Sequence, residues 1–188
     1  MNTALLLIDV QESIRHRNYW NPAELPAFLE RCNALLRGAQ AADIPVVRIL
    51  HSDGPETADD PWSIASGHVR PLDGLAPFKA AAEVLKHRHS ALVGTGLPVW
   101  LHQQGIQRLI VAGFRTEQCC ETTARHASDE GWEIDFVTEA TLTFEILHAS
   151  GVMLRPADIR LRTEAVLQDR FARVCTVEQA LEGARTMS

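Results

Sequence analysis

Residues 109–131 read LIVAGFRTEQCCETTARHASDEG. Leu109 to Ala112 is a short, wholly apolar run, the mark of a strand buried on both faces. From Thr116 to Glu130 the pattern turns helical, and Gly131 is placed to cap the helix end. A buried strand that runs directly into a helix is half of a βαβ unit. Such units are right-handed and build parallel sheets covered by helices.

The same pairing recurs in both directions. Ala4 to Ile8, Pro45 to Leu50 and Ile134 to Val137 read as buried strands, and the less apolar runs Val84 to His87 and Arg173 to Thr176 as two more. Helical stretches cover Leu25 to Ala42, Leu97 to Gln104, Pro156 to Phe171 and Val177 to Arg185. The expected fold is α/β: three αβα layers around a doubly wound, mostly parallel, Rossmann-like sheet of about six strands. Residues 1–188 are expected to form one domain. The exception to the pattern is His51 to Lys79, rich in Pro, Gly, Asp and Ser and without a period. It reads as a long loop covering the functional face.

The chain has 188 residues, 46% apolar and 22% charged. That composition excludes disorder, collagen-like repeats and coiled coils. The net charge of −6 comes without any basic block, which argues against nucleic acid or an anionic membrane as partner. The run from Ala4 to Ile8 is far short of a membrane helix of about 20 residues and lacks signal-peptide flanks. A cytoplasmic location is expected. The four cysteines, Cys32, Cys119, Cys120 and Cys175, are expected to be thiols.

In such sheets ligands bind beyond the strand carboxyl ends. Asp9 ends the first strand in ALLLIDVQES, residues 4–13. Alone it reads equally well as a cap. Lys86 ends a later one in EVLKHRHSALVGTGL, residues 83–97, where a solvated basic edge is the competing reading. Cys119 falls in the first turn of the helix after Leu109 to Ala112, where free N–H groups favour a thiolate. Adjacent helical residues point about 100° apart, so only one of Cys119 and Cys120 faces the crevice and the other enters the core. An acid, a lysine and a thiol together suit nucleophilic catalysis.

These residues resemble those of the isochorismatase-like cysteine hydrolases. The resemblance runs from ALLLIDVQES to about ATLTF. It rests on Asp9 and Gln11, on Lys86, Ser90, Ala91, Gly94 and Thr95, and on Gly113, Thr116 and Cys119. Leu92 stands where an aromatic is usual, Glu117 where Asp is, and Arg115 where a small residue is. The resemblance implies Cys119 as nucleophile, Asp9 as general base and Lys86 as the group that tunes both. It also implies a cis peptide at Phe114–Arg115 and an oxyanion hole from the Arg115 and Cys119 N–H groups.

The candidate substrate contacts are Gln11, Tyr19, Trp20, His51 and Trp62; core or subunit packing remains open for the aromatics. The nicotinamidase branch of that family carries Asp-x-His as a metal site. Here the order is reversed, His51 before Asp53, and His87 and His89 supply no zinc spacing. No metal and no cofactor is expected. Gly94, Thr95 and Gly96 are only part of a dinucleotide fingerprint; a helix-entry turn is the plainer reading. HRH at 87–89 and RHR at 15–17 read as solvated basic edges. The expected activity is hydrolysis of a C–N bond in a small amide or carbamoyl compound through a thioester. Enol-ether hydrolysis and ligand binding without turnover are the alternatives. The partner is a small-molecule substrate, and the resemblance implies a homodimer or homotetramer.

Overall fold

In the computed structural model, which describes residues 2–53 and 57–185, six parallel strands form one sheet in the order β3-β2-β1-β4-β5-β8. They are β1 (Thr3–Ile8), β2 (Val46–His51), β3 (Ala82–Lys86), β4 (Arg108–Phe114), β5 (Glu133–Leu142) and β8 (Arg173–Val174). A two-stranded antiparallel hairpin, β6 (Ile146–Leu147) with β7 (Met153–Leu154), stands apart from it. All six expected strands are present and parallel. The hairpin had no alternating pattern to announce it, since Leu147 and Met153 are both exposed.

Helices cover both faces. On one, α1 (Leu25–Ala41) and α5 (Val177–Arg185) bury Phe28, Cys32, Leu35 and Ala180 against Leu5, Leu7 and Ile110. On the other, α2 (Leu97–Gln103), α3 (Glu121–Asp129) and α4 (Pro156–Leu167) bury Leu101, Ala124 and Leu167 against Leu6, Ile8 and Val111. Residues alternating along β1 thus enter opposite cores, as period-two geometry requires. Gly131, at φ 98°, ends α3 as the sequence suggests. Thr95 Oγ1 accepts from the Leu97 N–H at 3.3 Å and donates to the Ala91 carbonyl at 2.6 Å, so the Gly-Thr-Gly segment is a helix-entry turn.

The chain leaves β1 towards β2 and β3, then returns to the other side of β1 for β4. This reversal between β1 and β4 is the topological switch point, where a crevice opens at the carboxyl ends. Ile8 and Gly113 face each other there in register. Gly113 has φ 131°, and a side-chain Cβ would lie 2.0 Å from the Ile8 carbonyl oxygen. Only glycine lets the two strands meet at this depth.

Candidate active site

Asp9 follows β1 with a positive φ of 52°, a conformation that Asp tolerates better than most residues. Its N–H donates to the Ile49 carbonyl at 2.9 Å, which fixes the turn against β2. Lys86 ends the edge strand β3, two strands away. Strands lie about 4.8 Å apart, so only a long side chain spans the end of β2 to reach Asp9. The Lys86 Nζ lies 2.8 Å from Asp9 Oδ2 and 3.4 Å from Cys119 Sγ. It also donates to the Arg88 carbonyl at 3.1 Å. The turn after Lys86 is tied to α3: Ser90 Oγ meets His126 Nδ1 at 2.9 Å, and the Ala91 N–H donates to Thr123 Oγ1 at 3.0 Å. Asp9, Lys86 and Cys119 therefore converge at the switch point. Cys120 points into the core at 0% exposure, against 9% for Cys119.

The turn carrying Cys119, Thr116–Cys120, is a π-turn leading into α3, and the Phe114–Arg115 peptide before it is cis. The expected thiolate is not the resting form. Burial, followed by the nearby Asp9 charge, pushes the Cys119 thiol up to about 12, against the opposing pull of Lys86. Burial likewise raises the Asp9 pKa, with the Lys86 ammonium opposing it. For Lys86 burial favours the neutral amine, but Asp9 and Cys119 outweigh it and the net direction is upward. Cys119 thus rests as a thiol beside Lys86 and Asp9, whose 2.8 Å separation is that of an ion pair. Asp9 Oδ1 is buried and makes no hydrogen bond of ordinary geometry among the described residues, and the Cys119 thiol is the neighbour placed to donate to this carboxyl group. That oxygen is free to take a proton.

His51 extends this chain of contacts. Its Nδ1 lies 3.0 Å from Lys86 Nζ and its Nε2 2.5 Å from Asp53 Oδ1. A lysine has only protons to give, so Nδ1 accepts and Nε2 carries the hydrogen. Burial and then the Lys86 charge lower the His51 pKa, which keeps the ring neutral. Asp53 also accepts from Arg17 Nη2 at 3.1 Å, and the Arg17 guanidinium lies 4.1 Å from the centre of the Trp62 ring. Both His51 nitrogens are therefore engaged, one of them by a cation. This does not suit a metal ligand, and among the described residues no group of three or more His, Cys, Asp or Glu could hold a metal ion.

Cys119 opens on a cavity of about 100 Å³, walled by Tyr19, His51, Trp62, His89, Phe114 and Arg115. Three of the five candidate contacts, Tyr19, His51 and Trp62, line it. Gln11 does not. Fully buried, it spends its amide on β2, accepting the His51 N–H at 2.7 Å and donating to the His51 carbonyl at 2.9 Å. Trp20 also turns away, edge-on to Phe144 at 5.5 Å.

Two residues read as solvated edges belong here instead. Arg17 lines the cavity, and His89 Nδ1 lies 3.7 Å from Cys119 Sγ. His87 points elsewhere, with Nδ1 2.8 Å from the Ser52 carbonyl, because β3 ends at Lys86 and strand alternation stops. The loop after β2 does cover the site through Trp62; Gly54, Pro55 and Glu56 within it lie outside the described residues. A larger hollow of about 380 Å³ opens at the opposite end of the sheet, where Arg108 and Arg173 pair with the buried Asp135. No thiol lines it.

Comparison with known proteins places the chain in a class of hydrolases. The family model for the isochorismatase domain matches residues 3–179, and the chain belongs to the isochorismatase family. It is 44% identical over 165 residues to Nicotinamidase 3 of Arabidopsis thaliana, covering 80% of this chain and 78% of that one. It is 24% identical over 184 residues to the isochorismatase family protein YrdC of Bacillus subtilis, covering 95% and 94%. Its fold matches the crystal structure of an isochorismatase-family protein from Chromobacterium violaceum with a TM-score of 0.87 and 24% identity, over 100% of this chain and 95% of that one.

Proposed function

We propose that the protein hydrolyses the C–N bond of a small amide or carbamoyl compound through a thioester on Cys119. One observation carries this reading: Lys86 Nζ stands 2.8 Å from Asp9 and 3.4 Å from the Cys119 sulfur, with all three residues buried. The similarity to a nicotinamidase supports an amide as substrate.

Asp9 Oδ1 takes the thiol proton as sulfur attacks the carbonyl carbon. The Lys86 ammonium compensates the negative charge as it moves between carboxylate and sulfur. The carbonyl oxygen becomes an oxyanion, received by the Arg115 and Cys119 N–H groups. The tetrahedral adduct collapses, the C–N bond breaks, and the departing nitrogen takes the proton from Asp9. Water then attacks the thioester, with Asp9 again accepting a proton. The acid or carbamate leaves and the thiol is restored.

The test is a panel of small primary amides and carbamoyl compounds assayed for ammonia, with hydroxylamine added to intercept the acyl-enzyme. Ammonia release with a hydroxamate product is expected. A protein that binds these compounds but releases no ammonia from any of them is not this hydrolase.

A further inference from the structure

The cavity at Cys119 does not stand alone. A groove of about 360 Å³ lies beside it, with Tyr19, Phe144, Leu147, Met153 and Pro156 as its apolar side and Asn21, Glu24 and Glu145 as its polar side. Tyr19 lines both spaces. The Arg115 side chain lines the Cys119 cavity and meets Tyr19 and Phe144, two residues that line the groove. Its guanidinium carbon is 4.7 Å from the centre of the Tyr19 ring, and its Nη2 donates to the Phe144 carbonyl at 3.0 Å. Its Nε lies 2.5 Å from Glu117 Oε1 and 3.4 Å from Thr143 Oγ1. Thr143 in turn donates to Glu117 Oε2 at 2.8 Å. The whole residue is 5% exposed.

We propose that the Arg115 side chain is a plug that closes the Cys119 cavity off from this groove and so sets the largest acyl group the site accepts. Its charge is already met by Glu117, so it contributes volume at this wall rather than a free cation for an anionic ligand. It is also held from four directions, by Tyr19, Thr143, Phe144 and Glu117, so it does not swing aside as an unpaired surface arginine would. A compact amide fits in the closed space. A substrate with an alkyl chain needs the groove and is refused. With a small residue at position 115 the two spaces join, and chain-bearing acyl groups reach the groove's apolar side at Leu147 and Met153. This deepens the hydrolase reading and rests on it for the word substrate.

The experiment reads cavity shape without turnover. Cys119 is alkylated with iodoacetamide and with N-hexyliodoacetamide, and the two rates are followed by peptide mass mapping. In the wild type the hexyl reagent should be slower by about tenfold or more, the penalty for a poorly fitting apolar group. Arg115→Ala should raise the hexyl-to-parent ratio about tenfold, while Arg115→Met, which keeps bulk without charge, should leave the ratio near the wild-type value. Arg115→Ala strands the Glu117 carboxylate, so the double variant Arg115→Ala with Glu117→Gln carries the measurement where the single variant does not fold. An unchanged ratio in the folded Ala variant, or an equal rise in the Met variant, overturns the plug. Because alkylation requires no hydrolysis, a protein without amidase activity still answers this question.

Discussion

Lys86 and Asp9 form an ion pair 2.8 Å long at the base of the cavity, with side-chain exposures of 0% and 2%. A buried pair of this kind is weak evidence for stability, because desolvation cancels most of the attraction. Its value here is chemical: the Lys86 ammonium opposes the burial that favours a neutral Asp9, beside a thiol that burial keeps protonated.

Asp9→Asn keeps the shape of that carboxylate and removes its basicity. Turnover should fall by roughly 10² to 10⁴ while the fold persists, as judged by circular dichroism. A well-folded Asn variant with more than about a tenth of wild-type activity would contradict the role given to Asp9.

Cys119→Ala should abolish turnover, and Cys119→Ser should be nearly as poor, because a hydroxyl is less acidic than a thiol and the base beside it is a carboxylate rather than an imidazole. Iodoacetamide should label Cys119 ahead of Cys32, Cys120 and Cys175, since among these thiols Cys119 alone lines the cavity. Dominant labelling of Cys120 would reverse the assignment made from the turn geometry.

The pH profile follows from the direction of the Asp9 shift. Burial raises Asp9 above its ordinary 3.8, and the base works only when ionised. Activity should therefore rise with pH through a midpoint above 3.8 and fall away in more acid solution. Between 3.8 and the raised value the folded chain holds a proton that the unfolded chain has lost, so this group makes stability decline as pH increases through that window. Full activity at pH 3.8 would rule Asp9 out as the titrating base.

Gly113→Ala puts a methyl group into the Ile8 carbonyl and forces a side chain onto a backbone at φ 131°. A loss of about 2–4 kcal/mol is expected, enough to lower Tm by several degrees. Asp9 follows Ile8 directly, so activity at low temperature should drop as well. A variant with wild-type Tm would show that β1 and β4 are not clamped here.

The sheet was legible because strands buried on both faces read as unbroken apolar runs. β5 was seen only as Ile134 to Val137, because Thr138 and Glu139 interrupt the run; Glu139 Oε1 is used to accept the Val177 N–H at 2.7 Å. Asp9, Lys86 and Cys119 could be found by position, since each follows or ends a strand. Arg17 could not. Its partner Asp53 lies 36 residues away, and the ring it covers, Trp62, is further still along an irregular loop. Neighbouring residues also diverge in ways no composition reveals: Tyr19 and Trp20 both pack on Phe144, yet of the two only Tyr19 lines the cavity. The buried Arg115 reads from sequence only as a departure from a small residue. What encloses it becomes visible when Glu117, Thr143 and Phe144 close around it.

The opposite headings of Cys119 and Cys120 bear on how the protein ages under oxidative stress. Cys120 faces inward, while Cys32 and Cys175 belong to the hydrophobic core on the other side of the sheet. No second sulfur stands ready to trap a sulfenic acid formed at Cys119 as a disulfide. Such damage has only the sulfinic and sulfonic steps ahead of it, unless a small external thiol enters the cavity first. The high resting pKa is then also a shield, since it keeps the peroxide-sensitive thiolate scarce in the resting protein.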